Sequence, residues 1–252
     1  MKTLYTILFI FLATGSISCT KEGSDALGNP QAGAGGSTAR FTISGTYLYI
    51  VDHTSVKSFD ISNNSSPVYK AKTEIGVNIE TIFPYKDKLF IGSTSSMYIY
   101  SLSNPAEPKR IAKAEYTIRM ACDPVVATDT VAYATLRASG PCGFGQSALV
   151  VYNIKDIGSP QLVRTVNLSE PYGLGIKANA LYVCEGRGGL KIYDVTNAYN
   201  PVFVKTISIA NTSFYDVIPY GTILIAQVND GFILYDTGTD PLQPAHLSKI
   251  LN

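Results

Sequence analysis

Few side chains in this sequence could act at a metal or as part of a nucleophilic centre. The 252 residues contain only two histidines, His53 and His246. No group of cysteines and histidines has zinc-site spacing, and a Ser-His-Asp hydrolase needs a positioned histidine that the chain does not offer. We therefore expect no metal and no cofactor. The catalysis that remains open is acid–base work by carboxylates, of which Glu80, Asp123 and Asp216 are expected near the inner strands described below.

Arginine, tyrosine and carboxylate side chains form a candidate binding site. Arg137 and Arg187 fall at equivalent points of two successive repeat units, where two guanidinium groups could clamp a carboxylate or a sugar acid. In the alternative interpretation they pair with Glu185 and Asp123 and have a structural role. The full set of candidate ligand-binding residues is Glu80, Arg119, Asp123, Arg137, Tyr172, Glu185, Arg187, Tyr215 and Asp216.

A recurring phrase indicates which elements must position these side chains. An aromatic residue closes an apolar run, and a proline follows eight or nine residues later. The pairs are Phe59 with Pro67, Tyr100 with Pro108, Tyr152 with Pro160, Tyr193 with Pro201, and Tyr235 with Pro244. A repeat of about 40 residues indicates a modular fold.

Each repeat unit contains four segments in which large side chains alternate, separated by turn residues. Four strands per repeat are typical of a β-propeller blade. The sequence therefore predicts an all-β fold, a β-propeller of five four-stranded blades over residues 39–252. The expected units are residues 39–77, 78–115, 116–168, 169–210 and 211–252.

Prolines, aspartates and chain ends have predicted roles in this scheme. The prolines should open the fourth, outermost strand, where a missing N–H costs little. Asp60, Asp194 and Asp236 close the third strand and are expected to cap turns. Each unit supplies its own blade, so closure of the ring is expected to depend on side-chain packing between blades one and five.

The sequence of the fourth unit resembles a known family. Residues 190–197 read Leu-Lys-Ile-Tyr-Asp-Val-Thr-Asn and are followed by Pro201. This resembles the LVIVD repeat, in which an apolar strand ends in Asp-Val-Ser and is followed by Asn-Pro. In units two and three, Ser101 and Asn153 stand in place of the aspartate. The resemblance implies an exported bacterial β-propeller, and it implies no single activity.

Unit three is about ten residues longer than the others, and the extra length lies in residues 136–147. An insertion in one loop of a repeat protein often marks the binding side, although it can also be a tolerated surface loop. Cys122 and Cys142 are expected to form a disulfide that braces this insertion. Cys184 ends an apolar strand and is expected to be buried, and its pairing with Cys142 is the rival connectivity.

The first residues resemble a bacterial lipoprotein signal. Residues 1–18 contain a lysine, a short apolar run and small residues, and they precede Cys19. The run is too short for a membrane helix, so a signal peptide is predicted. Cys19 would then be lipidated, and residues 19–38 would form a flexible tether. The expected location is the cell envelope, at the outer membrane.

Charge limits the classes of partner. Removal of Lys2 with the signal leaves 19 basic against 19 acidic residues. Nucleic acid is not an expected partner, because its phosphates require clustered lysines and arginines. The favoured function is a binding or scaffold module for an envelope protein or glycan. Two alternatives stay open: a structural envelope protein, and a carbohydrate-active enzyme that uses the axial carboxylates.

Overall fold

A computed structural model describes residues 36–118, 122 and 124–251 of the chain. Its strands form five sheets of four antiparallel strands, each sheet being one blade of a β-propeller. In every blade the strands are hydrogen-bonded in chain order, and the first strands of successive blades are neighbours around the axis. The predicted all-β, five-bladed fold is confirmed. The predicted signal peptide, Cys19 and residues 19–35 lie outside the described residues.

Five blades account for all the described strands. Blade 1 contains β1 (Phe41–Ser44), β2 (Tyr47–Val51), β3 (Ser55–Asp60) and β4 (Val68–Glu74). Blade 2 contains β5 (Ile79–Tyr85), β6 (Lys88–Ser93), β7 (Ser96–Ser101) and β8 (Lys109–Glu115). Blade 3 contains β9 (Val125–Ala127), β10 (Val131–Leu136), β11 (Ala148–Asn153) and β12 (Gln161–Asn167). Blade 4 contains β13 (Leu174–Lys177), β14 (Ala180–Cys184), β15 (Leu190–Asp194) and β16 (Val202–Ile207). Blade 5 contains β17 (Phe214–Tyr220), β18 (Ile223–Val228), β19 (Gly231–Asp236) and β20 (Ala245–Leu251).

The aromatic–proline phrase marks the outer strand of every blade. Each of the five prolines is the residue immediately before a fourth strand, as predicted. Each aromatic sits at a register shift between the third and fourth strands, where the fourth strand carries one extra residue. Such a bulge increases the local twist of the strand. The phrase therefore specifies a twisted outer strand that is preceded by a proline, which has no backbone N–H that would need a partner.

The turn between the third and fourth strands is built from two successive side-chain caps. At its first position the side chain of Asp60, Ser101, Asn153, Asp194 or Asp236 accepts the N–H two residues on. At its second position the side chain of Asn63, Asn104, Asp156, Asn197 or Asp240 does the same. The predicted capping role is confirmed, and Ser101 and Asn153 perform it in place of aspartate. Hydrogen bonds from Ser62 lower the pKa of the Asp60 carboxyl to about 2.

The hydrophobic core lies between blades. Four clusters of buried side chains join blade 1 to 2, 2 to 3, 3 to 4 and 4 to 5. A tyrosine of the second strand adds a hydrogen bond across three of these boundaries. Its hydroxyl donates to a turn carbonyl of the next blade, from Tyr49 to Pro105, Tyr133 to Ala198 and Tyr182 to Pro241, at 2.8, 2.6 and 2.7 Å. Burial raises the pKa of all three hydroxyls.

The boundary between blades 5 and 1 is different. Among the described residues, no buried hydrophobic cluster and no direct hydrogen bond joins a strand of blade 5 to a strand of blade 1. Phe41, Ile43 and Ile50 of blade 1 are 61%, 43% and 38% exposed. The expected side-chain packing between blades one and five is therefore not seen, and the ring is open at this boundary.

A short segment before β1 connects the two end blades. Ser37 Oγ donates to Asp216 Oδ1 of β17 at 3.1 Å, and Thr38 Oγ1 donates to Asp216 Oδ2 at 2.6 Å. The carbonyl of Ala39 then accepts the N–H of Ile82 in blade 2. Residues 36–38, the last three of the expected tether, are thus fixed at the axis, and we name residues 36–39 the strap.

Tyr182→Phe is expected to lower the free energy of unfolding by about 1 kcal/mol, because it leaves the Pro241 carbonyl without its inter-blade donor. The matched control is Tyr235→Phe. The Tyr235 hydroxyl is buried with no hydrogen-bond partner among the described residues, so its removal should leave stability unchanged or raise it. Urea denaturation of both variants measures the difference, and equal losses would contradict the assignment.

Candidate functional site

The candidate residues are spread over the loops and inner strand ends of blades 2 to 5. Arg119 and Asp123 lie outside the described residues. Glu80 occupies the extra position of a bulge between β5 and β6. The remaining candidates concentrate around the boundaries of blades 3, 4 and 5, and these are Arg137, Tyr172, Glu185, Arg187, Tyr215 and Asp216.

The insertion in blade 3 is braced by a disulfide. It connects β10 to β11 and contains a short 3-10 helix, Gly140–Cys142. Cys122 is bonded to Cys142 with Cα atoms 5.1 Å apart, as predicted, whereas Cys184 is a buried free thiol. The backbone of Cys122 also pairs with that of Arg137 in both directions. Cys122 therefore holds the loop at two points, at Arg137 through backbone hydrogen bonds and at Cys142 through the disulfide.

Phe144 in this loop is a functional candidate that the sequence analysis missed. Its side chain is 94% exposed, the largest exposure of any large hydrophobic residue described. It lies at the edge of a groove between blades 2 and 3, lined also by Ile118 and Gln146. The available signal was an aromatic residue between two glycines, outside any alternating strand pattern. Because the disulfide braces the loop, this exposed ring is held in place and is available to a partner.

Three side chains form a stack across the boundaries of blades 3, 4 and 5. The Arg137 guanidinium lies 4.1 Å from the centre of the Tyr172 ring. Tyr172 in turn meets Tyr215 edge to face, with ring centres 5.1 Å apart. Gly186 makes room for this ring, since a Cβ at its position would come within 2.9 Å of Tyr172. The stack presents cationic and aromatic surface together.

A polar groove adjoins this stack at the boundary of blades 4 and 5. It has a volume of about 640 Å³ and is lined by Arg187, Tyr215, Asn229 and residues 208–213. The backbone beside the groove is fixed, because Gly186, next to Arg187, pairs with Phe214 at the start of β17 in both directions. Apart from Arg187, the lining is uncharged and rich in hydroxyl and amide groups. Residues 208–213 and Asn229 were missed because they lie in connecting loops without a repeated pattern.

Glu185 has a structural role. Its side chain is only 2% exposed and pairs with Lys191 at 2.5 Å within the same hairpin. Its other oxygen accepts the Ser169 N–H at 2.9 Å. The predicted partnership of Glu185 with an arginine is therefore corrected, because Lys191 occupies that position and Arg137 stacks on Tyr172 instead. Arg187 is left facing the groove.

Asp216 is also used by the scaffold. Besides the strap hydroxyls, its Oδ1 accepts the Val217 N–H at 2.9 Å. A Cβ on Gly36 or Gly173 would come within 2.0 Å of its carboxylate oxygens, so both neighbours must be glycine. Burial raises the pKa of this carboxyl, and hydrogen bonds from Thr38, Val217 and Ser37 oppose the rise. Covered by the strap, Asp216 does not face an open site.

Among the described residues there is no group of three or more histidine, cysteine and acidic side chains that could hold a metal ion. The same part of the chain contains no helix long and apolar enough to cross a membrane. The stack and the groove together can offer hydrogen bonds, aromatic faces and a guanidinium group to a ligand.

Comparison with known proteins identifies the repeat. Residues 35–73, which cover blade 1 except for its last residue, match the model of the LVIVD repeat. No curated protein sequence matches the chain significantly. By fold the chain is thus a β-propeller. Specifically, it is a five-bladed β-propeller that carries an LVIVD repeat.

Solved structures resemble this fold at low sequence identity. The periplasmic gluconolactonase of Pseudomonas aeruginosa overlays with a TM-score of 0.61 at 15% identity, over 82% of this chain and 68% of that one. BamB of Moraxella catarrhalis gives 0.54 at 12% identity, over 84% and 63%. The designed protein Ika8 gives 0.58 at 12% identity, over 83% and 60%. The chain thus spans between three fifths and about two thirds of their lengths, and the likeness shows the fold alone.

Removing the disulfide is expected to destabilise the blade 3 loop. Cys122 and Cys142 are 20 residues apart, and closing a loop of that length stabilises a protein by about 3 kcal/mol. The double variant Cys122→Ser/Cys142→Ser should lose about that much in urea denaturation and be cleaved faster near Phe144 by chymotrypsin. Cys184→Ala is the control for loss of a cysteine outside the loop, because it adds no hydroxyl to the buried cluster around Cys184. Unchanged cleavage in the double variant would contradict the bracing role.

Asp216 should make a distinctive contribution to the pH dependence of stability. Because its pKa is raised in the folded state, burial of its charged form costs stability above that pKa, and the cost disappears as pH falls toward about 4. Relative to Asp216→Asn, the wild type should therefore gain stability between neutral and mildly acidic pH. Asp194→Asn is the opposite control, because hydrogen bonds from Thr196 lower the Asp194 pKa and acid removes that stabilisation. The two effects fall in different windows, because Asp216 titrates above the ordinary carboxyl pKa of 3.8 and Asp194 titrates below it. Thermal melts from neutral pH to well below that value measure both slopes, and slopes of the same sign would refute the prediction.

Proposed function

We propose that this protein is a lipid-anchored binding module of the bacterial cell envelope that holds a glycan in the groove between blades 4 and 5. The anchor is the lipid predicted on Cys19, and the predicted location is the outer membrane. The fold it shares with a protein described as a periplasmic gluconolactonase agrees with an envelope location. The balanced charge of the mature chain speaks against a nucleic-acid partner.

The groove carries this proposal. Its serine, threonine and asparagine side chains match the hydroxyl groups of a sugar, and the Tyr215 ring offers an apolar face for a sugar ring. Arg187 is the one charged lining residue, and it suits a carboxylate of an acidic sugar. Of the two arginines predicted to form a clamp, only Arg187 lines the groove. Arg137 stacks on Tyr172 instead.

A protein partner is the second candidate, and Phe144 favours it. A fully exposed aromatic side chain on a disulfide-braced loop offers a buried anchor to a partner at low entropic cost. An enzymatic role on carbohydrate has less support, because Asp216, one of the three carboxylates expected to carry it, is covered by the strap.

The glycan proposal is tested with an array of neutral and acidic bacterial oligosaccharides. Arg187→Ala is expected to weaken binding of an acidic glycan about tenfold or more, since a charge-assisted hydrogen bond is worth about 1.5–3 kcal/mol. Tyr215→Ala should weaken binding of acidic and neutral glycans alike, because it removes the apolar face offered to the sugar ring. Arg164→Ala, an exposed arginine of β12 away from the groove, is the matched control. Equal weakening by all three variants, or no glycan binding by the wild type, would overturn the proposal.

The protein alternative is tested by affinity capture from the envelope of the producing cell. Phe144→Ala should release a captured protein partner while leaving glycan binding unchanged. If the Phe144→Ala variant still captures the same protein, Phe144 is not part of the protein-binding site. Capture of nothing, together with no glycan binding, would favour a structural envelope protein.

A further inference from the structure

Both sheets that border the open boundary present apolar side chains to solvent. On blade 1, Phe41 and Ile43 alternate on β1, and Ile50 lies opposite Phe41 on β2. The exposed apolar residues on the facing side of blade 5 are Tyr220, Phe232 and Ile250, at 60%, 37% and 54%. Two such surfaces in one molecule mark an interaction site rather than scattered exposure.

The blade 1 surface corresponds to surfaces that are buried in the other blades. Strand pairing aligns Leu48 and Ile50 of β2 with the residues of the other second strands that pack on the preceding blade. These counterparts are Leu89 and Ile91, Ala132 and Ala134, Leu181 and Val183, and Leu224 and Ala226, all 0% exposed. The exposed face of blade 1 thus has the residue pattern of a surface that packs on a preceding blade.

The blade 5 surface has the complementary pattern. Ile225 of β18 aligns with the second-strand residues that point at the following blade, namely Tyr49, Phe90, Tyr133 and Tyr182. Those four are fully buried, whereas Ile225 is only partly buried. The exposed face of blade 5 therefore has the same residue pattern as the faces of blades 1 to 4 that pack on the following blade.

We propose that the partner at this boundary is a second copy of this chain, with the blade 5 face of one copy on the blade 1 face of the other. At each of the four closed boundaries, a face with the blade 5 pattern packs on a face with the blade 1 pattern. The two exposed faces should therefore be able to pack on each other in the same way. Residues 20–35, which lead directly into the strap, contain Leu27 as their only large apolar residue and do not match either face.

Contact of unlike faces permits a closed assembly of two copies. Each copy carries both faces, so two reciprocal contacts can join two copies about a two-fold axis and cover the blade 1 and blade 5 faces of both. The six exposed residues named above each present roughly 70–120 Å² of side-chain surface. Two reciprocal contacts would then bury about 1,100 Å² of apolar surface before polar neighbours are counted, which clears the roughly 1,000 Å² expected of a biological interface.

The test is cross-linking between single-cysteine variants of the chain carrying Cys19→Ser. Cys122 and Cys142 are bonded and Cys184 is buried, so only an introduced thiol is accessible. Ile50→Cys and Ile225→Cys proteins are purified separately, mixed and oxidised. The proposal expects a mixed disulfide dimer to form at least tenfold more than with Val163→Cys, a control of similar exposure on β12.

The double variant Ile50→Cys/Ile225→Cys separates this proposal from closure of the ring within one chain. A disulfide within single chains, with no cross-link in the mixture, would mean that the ring closes on itself and would overturn the proposal. Light scattering of the otherwise unmodified chain should give the mass of two copies, and Phe232→Asp should reduce it to one. A single-chain mass without any cross-link would also overturn it and leave the face to another protein.

Discussion

The structure depends on one constraint, which is that a blade of this sequence is apolar on both faces and must be covered on both sides. Four boundaries satisfy it with clusters of buried aliphatic and aromatic side chains. At three of those boundaries a tyrosine hydroxyl donates a hydrogen bond to a turn carbonyl of the next blade, so the position of that turn depends on how the two blades pack. Packing of blade faces at the four closed boundaries positions the loops and the groove. The boundary between blades 5 and 1 is open because the two faces there are not packed on each other.

Much of the scaffold was predictable because it repeats. The prolines, the bulged outer strands and the paired turn caps recur in every blade, and local rules explain each of them. Ser101 and Asn153 show that the rule concerns an acceptor at that position and not aspartate itself. The disulfide was predictable because the cysteine spacing coincided with the one long insertion.

The site was less predictable because it depends on individual side-chain contacts that occur in one blade only and are not part of the repeated pattern. Charge alone could not show that Glu185 and Asp216 are used by the scaffold while Arg187 faces a groove. Lys191 lies on the strand that follows the Glu185 turn, and only the register of that hairpin brings the two together. Likewise, composition predicted a tether through residue 38, whereas two hydroxyls and a buried carboxylate hold its last residues.

The strap has a consequence for how the molecule folds. A linear array of repeats with only nearest-neighbour contacts frays from its ends, because a terminal unit has one neighbour instead of two. The strap joins the first and last blades through a contact that spans 179 residues. Closing so long a loop is entropically slow, so this contact should form late and convert an array that frays at both ends into one cooperative unit. With this contact in place, the terminal blades should open together and not one at a time.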